Sequence, residues 1–366
     1  MIPKIHIQPR LIFLHLGLIL LGALGGFVAQ ALGLPLPFIL GSLIGVAIFA
    51  QGTELLARSP ERAMIPPDFK FNENFRAIFI AVIGVAIGTK ITMEVIMALP
   101  KAAYSFAALT LFVPLTFWTN YLIFRRVGKY DHPTALFSGS PGGLYEAILF
   151  GEKTGADMRQ LMVAQFLRVI LVVTLLPIGM SIYVGHPVGS SAGLSFAAAD
   201  TGYEHLPVAM LVVFLGLFLG FRLHLPAAQL VGPLVLGGVV TLSGLAVLDM
   251  PPWTLSAAQV VIGTSLGTRF VGLSPAMLIK GIWLAILSVG SMLLIGTAMA
   301  LALQPLTGEH VDALLISFAP GGVTEMALVA LSLNASPAFV TLHHLYRILL
   351  TVVVIGQVAK RFTDAD

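Results

Sequence analysis

Long apolar runs, separated by short polar loops, organise this chain of 366 residues. They fall at Leu11–Leu34, Leu36–Ala50, Ala77–Thr89, Ala102–Phe124, Leu161–Val184, Val208–Gly220, Leu230–Leu248, Ile282–Leu303 and Phe339–Val358. Several reach the roughly 20 residues that a helix needs to cross a bilayer. None alternates as barrel strands do, so the pattern predicts an all-α polytopic membrane protein, whose helices satisfy their own backbone in lipid. Two further segments, 132–151 and 311–334, are long enough to cross but carry Pro-Gly-Gly in the middle. Each predicts either a broken spanning helix or a re-entrant hairpin.

The two interrupted segments echo each other. Ser138, Pro141, Gly142, Gly143, Glu146, Leu149, Ala156 and Arg168 recur as Ser317, Pro320, Gly321, Gly322, Glu325, Leu328, Ala335 and Arg347. Every pair is 179 residues apart, and eight identities without a gap make internal duplication the economical reading. Gly84-Val85-Ala86-Ile87-Gly88-Thr89-Lys90 answers to Gly263-Thr264-Ser265-Leu266-Gly267-Thr268-Arg269 at the same offset. Glycines four apart let helices approach closely, so packing is the first expectation for them. The basic residue that follows in both copies, Lys90 and Arg269, is a candidate for coupling or ion pairing. The first two runs repeat at an offset of 191 instead, Leu34-Pro35 against Leu225-Pro226, and the polar loop 52–75 absorbs the difference. The expected division is an N-terminal repeat over 1–185, an external linker over 186–205 and a C-terminal repeat over 206–366.

Composition agrees with the pattern: 57% hydrophobic residues, 10% charged and a mean hydropathy of +0.96. Soluble domains carry about 25% charged residues. The net charge of +3 does not point to nucleic acid, because Lys and Arg sit in short loops at helix ends with no interleaved aromatic block. They set orientation instead. With a cytoplasmic N-terminus and 132–151 re-entrant, Arg58, Arg62, Lys70, Arg125, Arg126, Lys129, Lys153, Arg159, Arg222, Lys280, Lys360 and Arg361 all fall in the cytoplasm, and the loop 186–205 has no basic residue. Each half then has about five transmembrane helices plus the Pro-Gly-Gly element, an odd number, so the halves insert as inverted-topology repeats. That plan recurs in secondary transporters, with the binding site where the interruptions meet. Lys4 and Arg10 before the first run mimic a signal peptide, but the run is too long for one and is read as a retained helix.

The paired Pro-Gly-Gly-x-x-Glu stretches, the paired Gly-x-x-x-Gly-Thr-Lys/Arg stretches and the Leu-Pro…Gly-Pro-Leu helix starts together resemble the AbrB-type bacterial integral membrane family. These are duplicated proteins labelled ammonia monooxygenases or regulators of aidB expression, and they share only a name with the small soluble DNA-binding AbrB regulators. The resemblance covers nearly the whole chain. More loosely, the architecture is similar to sodium-coupled citrate and glutamate carriers, an analogy that sets no substrate. The resemblance implies a multi-pass protein of the bacterial inner membrane, and the loop charges place both termini in the cytoplasm.

Arg168 and Arg347 lie near mid-helix in their spans, where an ionised guanidinium should face a partner or a wet cavity. Pairing with Glu146 and Glu325 is one expectation and direct substrate contact the other. At each elbow Ser140 or Ser138 could cap, Pro141 suits a first helical turn, and free N–H groups attract anions. The candidate substrate-binding residues are therefore Ser140, Pro141, Gly142, Gly143, Arg168, Pro320, Gly321, Gly322 and Arg347. Glu146, Glu325, Lys90 and Arg269 are the candidates for coupling or ion pairing. Asp157 and Asp312 read as helix-start residues, and His343-His344 as packing or interfacial, since adjacent residues point about 100° apart and cannot easily share a metal. No H-E-x-x-H, no P-loop and no cysteine is present. The expectation is a carrier for a small, carboxylate-bearing anion, driven by a proton or cation gradient, with no catalytic role, cofactor or metal. The alternative is a membrane-embedded regulator of gene expression, as the aidB label implies. Association into a homo-oligomer is left open.

Overall fold

A computed structural model of the chain describes residues 9–34, 36–56, 64–66, 69–89, 91, 93, 97, 102–185, 203–225, 227–333 and 335–363. Among these residues every regular element is a helix. In chain order they are α1 Pro9–Ala31, α2 Pro37–Leu56, α3 Glu73–Gly88, α4 Ala103–Leu122, α5 His132–Ser138, α6 Leu144–Lys153, α7 Met158–Val184, α8 Leu206–Arg222, α9 Ala228–Leu242, α10 Pro252–Gly267, α11 Pro275–Thr307, α12 Val311–Phe318, α13 Val323–Ser332 and α14 Pro337–Thr363. A π-helical turn at Ile123–Val127 extends α4.

Among the described residues, six helical stretches are long and apolar enough to cross a membrane: α1, α4 with its π turn, α7, α8 with the turn before it, α11 and α14. Their outward faces carry large apolar side chains such as Phe13 and Leu20 on α1 and Phe218 on α8, all more than half exposed, as a lipid-facing surface does. The chain is a multi-pass membrane protein. The count departs from five full spans in each half. Helices α3 and α10 have 16 residues and α9 has 15, which at 1.5 Å per residue reach about 24 Å, short of a ~30 Å hydrocarbon core. Of the expected span 76–97, the helix stops at Gly88, and much of the remainder lies outside the described residues, as does most of the 186–205 linker.

Helix boundaries repeat at the sequence offset. The starts of α3, α5, α6 and α7 (73, 132, 144 and 158) are followed 179 residues later by those of α10, α12, α13 and α14 (252, 311, 323 and 337). Helices α2 and α9 start 191 apart. Packing follows the same arithmetic. A Cβ on Gly84 would meet the Leu230 carbonyl oxygen at 2.6 Å, and one on Gly263 would press closer still on the Ile39 carbonyl and Ser42. Gly84 and Gly263 are the first glycines of the two G-x-x-x-G stretches, so in both copies that glycine serves close helix contact.

The chain forms two compact units, neither of which is a sequence half. One gathers Met1–Ala86, Gly185–Gly237 and Ala246–Leu273, and the other Ile87–Val184, Gly238–Leu245 and Ser274–Asp366. Each therefore takes elements from both copies of the duplicated pattern. In the first unit, Leu18, Val46, Ala50 and Ile65 form one core cluster. In the second, Phe117, Leu136, Phe137, Ala147, Leu161 and Ile355 form another.

The first Pro-Gly-Gly segment is a helical hairpin. Asp131 caps α5 by accepting from Thr134 N–H at 3.3 Å, and the helix stops at Gly139. The chain then turns and α6 runs back. The Asp157 N–H, just past α6, donates to Thr134 Oγ1 in the first turn of α5 at 2.7 Å. A Cβ on Gly151 would lie 3.7 Å from that of Phe137. A continuous helix would hold residues 14 apart about 21 Å from each other.

Candidate functional site at the glycine elbows

The elbows lie in the second compact unit. A helix end leaves four carbonyls without intrahelical partners. Beyond α5 and α12 the backbone N–H of Gly139 and of Ala319 reaches two of them, and the following long helix donates to others and to the elbow carbonyls. On α7, Gln165 Nε2 donates to the Phe137 carbonyl at 2.7 Å, and Arg168 Nη1 donates to the Ser140 carbonyl. On α14, His344 Nε2 bonds the Ile316 carbonyl at 2.9 Å, and Arg347 donates through Nη1 to Ala319 and through Nη2 to Gly321, the latter at 2.8 Å. Gln165 with Arg168, and His344 with Arg347, are i,i+3 pairs on one helix face. Each clasp thus has a neutral donor and a cation on the negative end of a short helix, where a cation is favoured.

The protonation of His344 follows from its partners. Its Nδ1 lies 3.1 Å from Arg347 Nη2, and a guanidinium only donates. Nδ1 must accept, so Nε2 carries the hydrogen given to Ile316 and the ring is neutral.

Arg168 and Arg347 are both buried, Arg347 being 1% exposed and the largest fully buried side chain. Among the described residues, neither Nε–H has a hydrogen-bond partner. The first elbow rests on the second arginine: a Cβ on Gly142 would lie 3.2 Å from Thr351 Oγ1 and 3.9 Å from Arg347 Nε. The buried Arg347 cation and a glycine backbone therefore meet at the first elbow, to whose Ser140 carbonyl Arg168 also donates.

Other predicted residues behave differently from expectation. Ser140 does not cap α6. Its Oγ donates to the Gly142 carbonyl at 2.8 Å, stapling the elbow, and accepts from Gln165 Nε2 at 3.1 Å. The buried Ser138 Oγ has no hydrogen-bond partner among the described residues. The cap position of α6 belongs to Gly143, in the left-handed region at φ 59°, and that of α13 to Gly322, with no side-chain cap at either. Pro141 and Pro320 accordingly lie in the turns before these helices, outside the first helical turns. The prediction failed because a left-handed glycine starts α6 at Leu144, three residues later than a start led by Pro141 would.

Glu146 is on α6, with its side chain outside the described residues. Glu325 is buried at the third position of α13, its carboxylate folded back against Gly322, as the glutamate of a capping box lies. Lys90 is outside the described residues. Arg269, in the first unit, is ion-paired to Glu73 at 3.1 Å, and Glu73 also pairs with Arg76 at 2.7 Å. Asp157 is an exposed helix-start residue whose Oδ1 accepts from the Arg159 and Gln160 N–H groups.

Of Gln165, His344 and Asn120, sequence reasoning passed over the first and the last and read His344 only as packing or interfacial. Gln165 and His344 sit 179 apart but share no residue type, so a search for identities could not find them, though the shared polar character at that offset was available. Asn120, buried on α4, donates to the Gly139 carbonyl at 3.3 Å and accepts from Ser288 Oγ of α11 at 2.9 Å. It pins the first elbow to two helices.

Comparison with known proteins gives the same outline. Residues 61–363 match the family described as "Transition state regulatory protein AbrB". The chain belongs to the AbrB family. It is similar to "Uncharacterized protein YhjN" of Bacillus subtilis (strain 168), with 27% identity over 357 residues, covering 92% of this chain and 90% of that protein. It is also similar to "Putative regulator AbrB" of Escherichia coli (strain K12), with 23% identity over 339 residues and 92% of each chain covered. AbrB-family membership and a helical, membrane-spanning build thus stand together in one chain.

Proposed function

We propose that this AbrB-family chain is a secondary transporter of a small anionic, carboxylate-bearing solute, with no catalytic role, binding at the two elbows near mid-membrane. The observation that carries the reading is the pair of buried guanidiniums beside the glycine elbows, each with an Nε–H that no described residue engages. A buried donor left unpaired costs about 1–3 kcal/mol, and more when charged. The oxygens of an anion would remove that cost, and the N–H groups at the start of α6 would add to the attraction. Ionisable groups inside a membrane generally mark a solute path. In this reading the two halves insert with opposite orientation in a bacterial inner membrane, both termini cytoplasmic, and each hairpin re-enters from its own side. Glu146 or Glu325 would take a coupling proton or cation.

A second reading, a membrane-embedded regulator, is favoured by the names of the family and of the Escherichia coli relative. One experiment separates the two. Purified protein in liposomes is offered labelled mono-, di- and tricarboxylates, and amines as controls, under a proton or a sodium gradient. The transport reading expects uptake of at least one carboxylate, abolished by Arg347→Gln in protein that still runs as a single species. Stabilisation by a carboxylate without flux would favour the regulator. No carboxylate moved under either gradient, or uptake unaltered by Arg347→Gln, overturns the transport reading.

A further inference from the structure

The second clasp differs from the first by a buried polar pair one turn before Arg347. His343 on α14 is wholly buried, and its Nε2 lies 2.7 Å from Ser105 Oγ of α4. Its Nδ1 lies 2.8 Å from the Phe339 carbonyl, which can only accept, so Nδ1 carries a hydrogen. Phe106 stacks on the ring at 4.4 Å and 11°, and Phe339 packs at 4.1 Å.

The duplication supplies a control. At the offset of 179, His343 answers to Ala164 and Ser105 to Leu284. Ala164 and Leu284 are both buried, in one apolar cluster with Phe124, Tyr130 and Ala135. The same helix crossing is closed by alanine and leucine in one half and by histidine and serine in the other. The fold does not demand the polar version, and replacing a buried polar pair by well-packed apolar groups is often neutral or stabilising. The His343–Ser105 pair therefore needs a reason other than folding.

Its hydrogen count suggests one. The single Ser105 hydroxyl hydrogen has two acceptors in reach, His343 Nε2 and the Ala102 carbonyl at 2.8 Å. Turned to His343, it completes a neutral ring. Turned to Ala102, it leaves Oγ free to accept from Nε2–H, and the ring is an imidazolium. Both states are fully bonded with the same heavy atoms in place. The flat Phe106 face suits the charged form as well.

We infer that His343, with Ser105, is a proton-binding site linked to the second elbow. This rests on the transport reading for its purpose: H⁺ taken from water at Nε2, and returned there, is the coupling ion, and His343 takes the role that reading otherwise gives to Glu146 or Glu325. On the same helix the neighbouring titratable groups are His344 and Arg347, both engaged with α12, and Tyr346, whose hydroxyl bonds Thr110 at 3.0 Å. Helix α4 brings Tyr104 and Tyr121 and no formal charge. Helix α12 brings Asp312 and α13 brings Glu325, each in a first helical turn. Helix α6, which brings Glu146, Glu152 and Lys153, packs on α14 around Val354–Val358, about 17 Å further along by helical rise. Burial disfavours an imidazolium and water favours it, so the proton selects whichever state wets this crossing and biases the equilibrium towards it.

The test uses the full chain in lipid nanodiscs with ¹⁵N-labelled histidine. One imidazole signal, absent from His343→Gln, is expected to pass from one protonated nitrogen to two between about pH 4 and pH 8. The double variant Ser105→Leu with His343→Ala copies the apolar pair of the first half. It is expected to keep the thermal unfolding midpoint of the wild type. In liposomes offered the carboxylates above, both variants are expected to lose accumulation driven by a pH gradient. A ring at 343 that holds one proton throughout that range overturns the inference, as does full pH-driven accumulation in the double variant. If the wild type moves no solute at all, the transport reading falls, and the nanodisc titration still decides the proton site.

Discussion

Arg168 and Arg347 illustrate how much a single side chain does when it is buried in a helical membrane protein. Each guanidinium satisfies carbonyls that a broken helix leaves open, and each still has an Nε–H to offer. The neutral partners make the structural share measurable. Gln165→Ala strands the Phe137 carbonyl and should cost about 1–3 kcal/mol, read as a lower unfolding midpoint in detergent. His344→Ala should cost less, because the Ile316 carbonyl also accepts from the Ala319 N–H at 3.2 Å. Gly143→Ala should cost about 1–2 kcal/mol, because φ 59° is left-handed, in the same assay. Outside the membrane, burial and then the Asp157 charge push the Tyr130 phenol up to about 12, from an ordinary value near 10. The folded state therefore resists losing that proton. Its stability should be unaffected by this group below about pH 10 and should fall as the pH rises towards 12. Tyr130→Phe should flatten that fall in a melting series against pH. The residues themselves were legible as a repeated set, Pro141 to Arg168 against Pro320 to Arg347. Their partners were not, because the acceptors are backbone carbonyls, which no side-chain pattern reveals. Glutamates were the visible candidates, and Glu325 instead folds back on the start of its own helix.

Pro-Gly-Gly in an apolar segment is compatible with either a kinked span or a turn that sends the chain back, and the choice depends on contacts distant in sequence. Thr134 with Asp157, and Phe137 with Gly151, decide it for the first element in favour of a hairpin. The chain has no cysteine, so a disulfide between Phe137→Cys and Gly151→Cys is a clean test. Their Cβ separation of 3.7 Å lies inside the range a disulfide accepts, although the Leu161 side chain must shift to admit a Cβ at 151. Oxidation should form the bond in most of the protein, seen as faster migration on a non-reducing gel. No cross-link would mean that α6 continues away from α5. Helix lengths were the least legible feature at this scale. The apolar run Leu230–Leu248 predicts a long span, but α9 ends at Leu242 and carries Pro233 within it. An apolar run says that a segment avoids water, not how far it stays helical.

Across the whole chain, the duplicated pattern was readable from 179-residue identities, whereas the partition into compact units was not. Each unit draws on both halves, and a sequence divides a chain only along its length. Orientation is the property on which the transport reading turns, and it yields to labelling. If α7 crosses, Lys153 and Tyr203 lie on opposite sides of the bilayer. From Tyr203 to His310 the chain runs through α8, α9, α10 and α11. If α8 and α11 cross and the shorter pair either both cross or together return, the number of crossings is even. His310, at the start of the second hairpin, then shares the side of Tyr203, while Lys153, at the end of the first, does not. All three residues are exposed. Single cysteines at these positions, probed with a membrane-impermeant maleimide in oriented vesicles, should place 203 and 310 together and 153 apart. Finding 153 and 310 on one side would make the halves parallel copies, with both elbows facing the same solution, and alternating access around a shared central site would lose its structural basis.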